Sequence, residues 1–289
     1  MHTTTRSTFP FAWRPLLALT TAALLSLSAG QSQAQLSDAA RLQALITGEH
    51  RSAANIARNA ARHPVETLQF FGLASGQTVI EILPGGAWYT EIIAPFLKGN
   101  GVYYGAHFSP RSHLSYQPPM LEAYQAMLAA NPELYGEVRV THLYPPSETQ
   151  IAPPGSADLA MSFRNVHNWI MAGTQKEHFA AFYAALKPGG ILGIVEHRAP
   201  EGSSMEVMET TGYVTQDYVI ELATQAGFEL VATSEINANP LDTKDHPEGV
   251  WTLPPTLRLG ETDKAKYMAI GESDRMTVKF RKPLQPTRR

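Results

Sequence analysis

The chain has no cysteine in 289 residues. Disulfides and thiolate metal centres are therefore excluded, and the fold must hold by its apolar core alone. Long basic runs are also missing, and acidic residues outnumber basic ones, 26 to 23, which speaks against nucleic acid as partner or substrate. No His-Glu-x-x-His or similarly compact ligand spacing occurs, so no metal ligand is assigned from local pattern. No apolar stretch reaches the about 20 residues needed to cross a bilayer. What the chain does have is 44% hydrophobic residues, a globular composition rather than a disordered one.

The first residues read as an address. Arg6 and Arg14 are followed by an uncharged, Leu- and Ala-rich stretch over 15–29, and Ser32-Gln33-Ala34 puts small residues at the −3 and −1 positions of a cleavage site. This is the pattern of a secretory signal peptide over residues 1–34, cut after Ala34. No Arg-Arg pair precedes the apolar stretch, and there is no cysteine to carry a lipid. The reading is a periplasmic or secreted protein with no membrane span after cleavage; a retained anchor is the alternative. Removal of 34 residues takes away two arginines and leaves 255 residues with 21 basic and 26 acidic side chains, which suits one large domain. The sequence leaves the oligomeric state open.

Residues 35–76 are helical in pattern. Leu36, Ala39, Leu42 and Ile46 recur at helical spacing, then Val65, Leu68 and Phe71, with a break at His63-Pro64. They form an N-terminal helical extension. From 77 to 289, strands are expected at 78–83, 101–106, 138–143, 158–163, 191–195, 228–236 and 276–281, with helices after Trp88 and over 118–134, 175–186 and 213–227. Such alternation implies a Rossmann-like, doubly wound seven-stranded α/β sheet, read here as parallel throughout. Residues 237–273 are too long for a hairpin loop, and with Trp251, Leu253 and Leu257 to bury they read as an ordered insertion.

The densest signal lies between Val79 and Glu91, V-I-E-I-L-P-G-G-A-W-Y-T-E. An apolar run carrying Glu81 stops at Pro84-Gly85-Gly86, and a helical pattern starts at once. That is a strand, a tight turn and a helix, the opening unit of a doubly wound sheet, where ligands sit at the carboxyl ends of the strands. Glycines there let the backbone approach a ligand, and the free N–H groups of the new helix face it. A βα turn with no ligand is the alternative.

This run resembles the first motif of class I S-adenosylmethionine (SAM) dependent methyltransferases, with L-P-G-G-A in place of G-x-G-x-G. The phrases L-K-P-G-G, F-R-N-V-H-N-W, V-E-H-R-A-P, D-H-P-E-G-V-W-T-L-P-P-T-L-R and G-E-S-D-R-M-T-V-K-F look like a family of exported bacterial proteins described as predicted methyltransferases. The resemblance covers residues 78–282 and implies SAM as cofactor. Glu81 would lie at the end of the first strand, Pro84, Gly85 and Gly86 under the methionine part, and Tyr89 and Thr90 beside the amino-acid moiety. His107 stands where the family pattern offers an acid to the ribose hydroxyls. The fourth strand ends at the position that faces the transferred methyl group, and there His167 is a candidate base, Arg164 an anion clamp, and Asn165 and Asn168 orienting groups. His197, at the end of the fifth strand, joins the acceptor pocket.

His107, His167, His197 and His246 all lie on segments leaving one sheet edge. The expectation is that His167 and His197 face the pocket and that the four do not converge on a metal. The function implied is SAM-dependent methyl transfer to a small molecule outside the cytoplasm. The alternative is an exported methyltransferase-like scaffold without SAM activity, acting as a small-ligand binding protein or as a His-based hydrolase or lyase, with or without a metal. The export reading predicts that protein recovered from the periplasm begins at Gln35 on N-terminal sequencing; full-length protein held in the inner membrane contradicts it.

Overall fold

Strand β1 (Thr78–Ile82) is apolar on both sides: Val79 and Ile80 are each fully buried although they point to opposite faces. A strand buried on both faces belongs at the centre of a sheet covered by two layers. In the computed structural model, which describes residues 1–2 and 38–284, β1 holds that central place. Apart from residues 1–2, the segment expected to be a signal peptide, with its cleavage site, lies outside the described residues.

The other strands are β2 (Val102–His107), β3 (Arg139–His142), β4 (Ala157–Phe163), β5 (Leu186–His197), β6 (Glu229–Ser234) and β7 (Arg275–Arg281). They form one sheet in the order β3-β2-β1-β4-β5-β7-β6. The chain winds outward from β1 to β3 and then returns to β4 beside β1, so a topological switch point, where ligands bind in such sheets, falls between β1 and β4. Before the sheet come α1 (38–45), α2 (Ala53–Ala57), α3 (Asn59–Arg62) and α4 (Pro64–Phe71). Within it follow α5 (Thr90–Leu97), α6 (Gln117–Ala130), α7 (Pro132–Tyr135), α8 (Val166–Met171), α9 (Gln175–Ala185), α10 (Met205–Thr211), α11 (Gln216–Gln225) and α12 (Lys264–Ile270). Helices α8, α10 and α12 were not anticipated, because each is too short to show a helical period of its own. None of the described helices is long and apolar enough to cross a membrane.

The sheet is mixed, not parallel throughout: β7 runs antiparallel to both β5 and β6. The reason lies in the connection. Residues 237–273 leave β6 at the carboxyl edge and stay there, and Arg275 enters β7 opposite His197, the last residue of β5. A strand that starts from that edge must run back against its neighbours.

Two cores follow from the alternation along the strands. Ile80, Ile82, Leu192 and Ile194 pack with Phe179 and Phe182 of α9 on one face. Val79, Leu159, Met161 and Val195 pack with Phe71 of α4 and with Ile92, Ile93 and Phe96 of α5 on the other. The N-terminal helices therefore belong to the core. Phe71 sits in a notch over Gly193 of β5, where an added Cβ would lie 2.6 Å from its ring. Gly193→Ala should accordingly destabilise the protein by about 1–3 kcal/mol through overpacking, read as a lower melting temperature; an unchanged melt would mean that α4 is not keyed into the sheet.

Candidate active site

The carboxyl ends of β1, β4 and β5 open into a cavity of about 610 Å³. Its lining joins the turn after β1, the segment after β4, the end of β5, the N-terminal helices and the 237–273 insertion. Ten of the twelve residues assigned from the sequence to the cofactor or the acceptor line it: Glu81, Pro84, Gly85, Gly86, Tyr89, Arg164, Asn165, His167, Asn168 and His197. Thr90 and His107 do not.

The turn after β1 is held in an uncommon conformation. Leu83, Gly85 and Ala87 all have positive φ, at 48°, 57° and 67°, which only glycine adopts without cost. Gly86, by contrast, is not in the left-handed region, and a Cβ added to it would meet no protein atom within 4 Å. The space beside it is open. His107 braces this turn from below. Its Nδ1 accepts the Phe108 N–H at 2.8 Å, so the proton sits on Nε2, which donates to the Gly85 carbonyl at 3.2 Å. Burial pushes its pKa down to about 4, in keeping with a neutral ring. Both nitrogens are thus spent on backbone, and His107 offers none to a ribose.

Thr90 also turns inward. Its hydroxyl donates to the Glu81 carboxylate at 2.9 Å and meets Tyr103 Oη at 2.9 Å. The Tyr103 hydroxyl donates to the same carboxylate oxygen. Despite these bonds, burial raises the Glu81 carboxyl to about 7.

At the end of β4, Asn165 donates from Nδ2 to the Ile82 carbonyl at 3.2 Å and latches β4 to β1. Arg164, with φ at 63°, anchors its backbone N–H to the Val195 carbonyl at 2.7 Å. Its guanidinium makes no hydrogen bond or ion pair among the described residues. Helix α8 then begins, and Glu196 of β5 caps it, accepting from the Val166 N–H at 2.5 Å and the His167 N–H at 3.3 Å. The same carboxylate accepts from the His197 N–H at 2.8 Å and from His167 Nδ1 at 3.0 Å. Because the carboxylate only accepts, the His167 proton is assigned to Nδ1, and Nε2 keeps a free lone pair. His197 lies beside it, with ring centroids 5.2 Å apart and its Nδ1 2.5 Å from Ser273 Oγ. Burial, and next the proximity of His167, hold the His197 pKa well below its usual value.

The ligand atoms of His167, Glu196 and His197 lie within 4.8 Å of one another, but the Glu196 oxygens already take four donors. His246 is elsewhere: its Nε2 pairs with Asp242 Oδ1 at 2.9 Å, and Asp242 also accepts from Tyr213 Oη at 3.0 Å and from the Asp274 N–H at 2.8 Å. The four histidines therefore do not meet at one point.

Sequence reasoning missed the basic side of the cavity. Arg58 and Arg62 line it from α3 and its cap. The Glu272-Ser273-Asp274-Arg275 corner supplies their counter-charge, and its Glu272 and Ser273 line the cavity as well. Glu272 receives Arg58 Nε at 2.6 Å, Arg62 Nε at 3.2 Å and Arg275 Nη1 at 3.2 Å. Burial alone would raise the Glu272 carboxyl, but Arg62, Arg275, Arg58 and Arg164 outweigh it and hold it at about 2. A signal was available, since Arg51, Arg58 and Arg62 are spaced by seven and four, one face of a helical segment.

No protein-family model and no curated protein matches the chain by sequence. Solved structures do match in fold. A SAM dependent methyltransferase from Aquifex aeolicus aligns at TM-score 0.51 and 15% identity, over 78% of this chain and 92% of that one. The [4+2]-cyclase SpnF aligns at 0.52 and 17%, over 88% and 96%. A phosphoethanolamine N-methyltransferase from Haemonchus contortus, in complex with SAM, aligns at 0.51 and 16%, over 84% of this chain and 60% of that one. The fold is thus the Rossmann-like fold of class I methyltransferases. One of the three is named a cyclase, and fold alone does not select the reaction.

The carboxylates predict two opposite responses to acid. Glu272 ionises at about 2 in the folded protein against an ordinary 4.5, so its contribution is complete above pH 4.5 and is lost as pH falls toward 2. Glu272→Gln should cost about 3–5 kcal/mol at neutral pH by leaving buried arginines uncompensated, and the gap from wild type should narrow below pH 4.5. Glu81, raised to about 7, is favoured while protonated, and charging it costs stability increasingly from pH 4.5 to above 7. Glu81→Gln should therefore gain on wild type as pH rises. Denaturant titrations across pH 3–8 would check both signs.

Proposed function

We propose that this protein transfers a methyl group from SAM to a small-molecule acceptor, and that it does so outside the cytoplasm. The observation that carries the reading is the open space beside Gly86 in a cavity that also presents His167 Nε2. A cavity of this volume falls in the range of small-molecule sites, about 300–1,000 Å³. The cradle at Gly85 and Gly86, which a Cβ at Gly86 would begin to fill, fits the methionine end of SAM, with the Tyr89 ring stacked on Phe163 at 3.6 Å as a flat wall. SAM supplies an electrophilic methyl group. The chain's own part is to position an acceptor and take its proton. His167 Nε2 receives the proton of an O–H or N–H acceptor, and Glu196 steadies the imidazolium through Nδ1–H. Arg164 and His197 line the acceptor's side. Location outside the cytoplasm is supported by the segment over 1–34 alone.

The second reading, a methyltransferase-like scaffold with a different ligand, is favoured by His107. The place of the ribose acid is taken by an imidazole whose two nitrogens are already engaged.

Calorimetry separates the two. Mature protein should bind SAM and S-adenosylhomocysteine, and Gly86→Val, whose side chain enters open space, should melt like wild type yet lose that binding by more than about tenfold. His167→Gln should retain S-adenosylhomocysteine affinity and lower turnover by about 10²–10⁴. Absence of SAM binding by folded wild-type protein would sink the methyl-transfer reading and leave the second.

A further inference from the structure

Four guanidiniums gather around one carboxylate on the basic side of the cavity. Arg58, Arg62 and Arg275 bond Glu272 directly, and Arg164 feels the same carboxylate and the charges of Arg275 and Arg58. A purely structural ion pair needs one cation for one anion. Surplus buried cations cost several kcal/mol each unless something neutralises them. Arg275 is the structural member, with all its contacts made by protein: Nε to the Ser273 carbonyl, Nη1 to Glu272 and Nη2 to the Ala61 carbonyl.

The other three are not spent. Arg62 is only 2% exposed, yet its Nη2 has no hydrogen-bond partner, and the buried Nη2 of Arg58 has none either. The Arg62 guanidinium carbon lies over the Trp88 ring, 4.6 Å from its centroid, a contact that does not use its N–H groups. Burial and the adjacent Arg164 charge push its pKa down to about 9, so it remains cationic at neutral pH and is made more so by an arriving anion. Arg164 completes the set from the end of β4, on strained backbone and with no hydrogen bond or ion pair among the described residues. All three line the one cavity.

We propose that Arg58, Arg62 and Arg164 form an anion subsite that takes a dianionic group, a phosphate monoester or a dicarboxylate, of the molecule that accepts the methyl group. The acceptor assignment rests on the methyl-transfer reading; the subsite itself does not. Planar guanidinium forks match the oxygens of such groups in geometry as well as charge. A single α-carboxylate, as an amino-acid-bearing cofactor would bring, neutralises one positive charge where three stand in excess of Glu272. The dianion also sets the chemistry, since an acceptor gripped here by its charged end presents its other end toward His167.

The test uses inorganic phosphate at pH 8 as the probe, titrated calorimetrically into the mature protein with and without saturating S-adenosylhomocysteine. Wild type should bind phosphate saturably in both cases, and acetate much more weakly. Arg164→Gln, which breaks no hydrogen bond or ion pair to the described residues, should weaken phosphate binding at least tenfold with an unchanged melt. Should that variant misfold, the partly exposed Arg58→Gln replaces it with the same expectation. Arg281→Gln, an exposed pair with Glu229 on the far end of β7, should bind as wild type does. Equal phosphate affinity in Arg164→Gln and wild type overturns the subsite. Displacement of phosphate by S-adenosylhomocysteine overturns its assignment to the acceptor. If S-adenosylhomocysteine does not bind while phosphate binding still depends on Arg164, the methyl-transfer reading fails and the anion subsite stands.

Discussion

The buried carboxylate of Glu272 is the joint on which the functional half of the molecule turns. It sits where the insertion ends and β7 begins, and it receives arginines from the chain's first helices and from β7 itself. Neither partner set is tolerable alone. Without the arginines the carboxylate would be buried uncompensated, and without the carboxylate several guanidiniums would be. The N-terminal helices, the insertion and the sheet edge are therefore committed to one arrangement, and the cavity is the space that arrangement leaves.

Around that space the strand ends follow a common logic. Polar side chains that sequence position would assign to a ligand are used instead to fix backbone. His107 holds the Gly85 carbonyl, Asn165 holds the Ile82 carbonyl, Thr90 closes on Glu81, and Glu196 caps α8 while orienting His167. Such bonds freeze the first ring of groups, so that the few left over face the cavity in set directions. Those are His167 Nε2, the Arg164 guanidinium and the outer edges of Arg58 and Arg62. A site whose supporting bonds are already made loses little order when a ligand arrives.

Much of this was legible from residue order, and the parts that were not have physical reasons. The central strands showed because they carry apolar residues on both faces, as Val79 and Ile80 do, and the turn after β1 showed because Pro84-Gly85-Gly86 breaks that pattern. Strand direction did not show. A two-residue period reads the same in either sense, so β7 passed for parallel until its pairing with His197 was seen. The partners of Arg58 and Arg62 lie 214 and 210 residues away in Glu272, beyond any local pattern. Thr90 and His107 were placed by motif position, whereas the direction in which each points is set by the layer it packs against. The resemblance to class I methyltransferases anticipated the fold and pointed to Arg164, but it carried no information on Arg58 and Arg62.

The separation between Arg58 and Glu272 has a consequence in time. A chain synthesised from its amino end produces Arg58 and Arg62, respectively, 214 and 210 residues before Glu272. Until Glu272 is made, Arg58 and Arg62 lack that counter-charge to dock against, and Phe71 awaits the notch at Gly193 until β5 exists. Contacts this distant in sequence slow folding, because a long loop must close before any of them is made. The basic wall of the cavity is thus among the last features to be assembled, and a chain that stops short of β7 has nothing with which to build it.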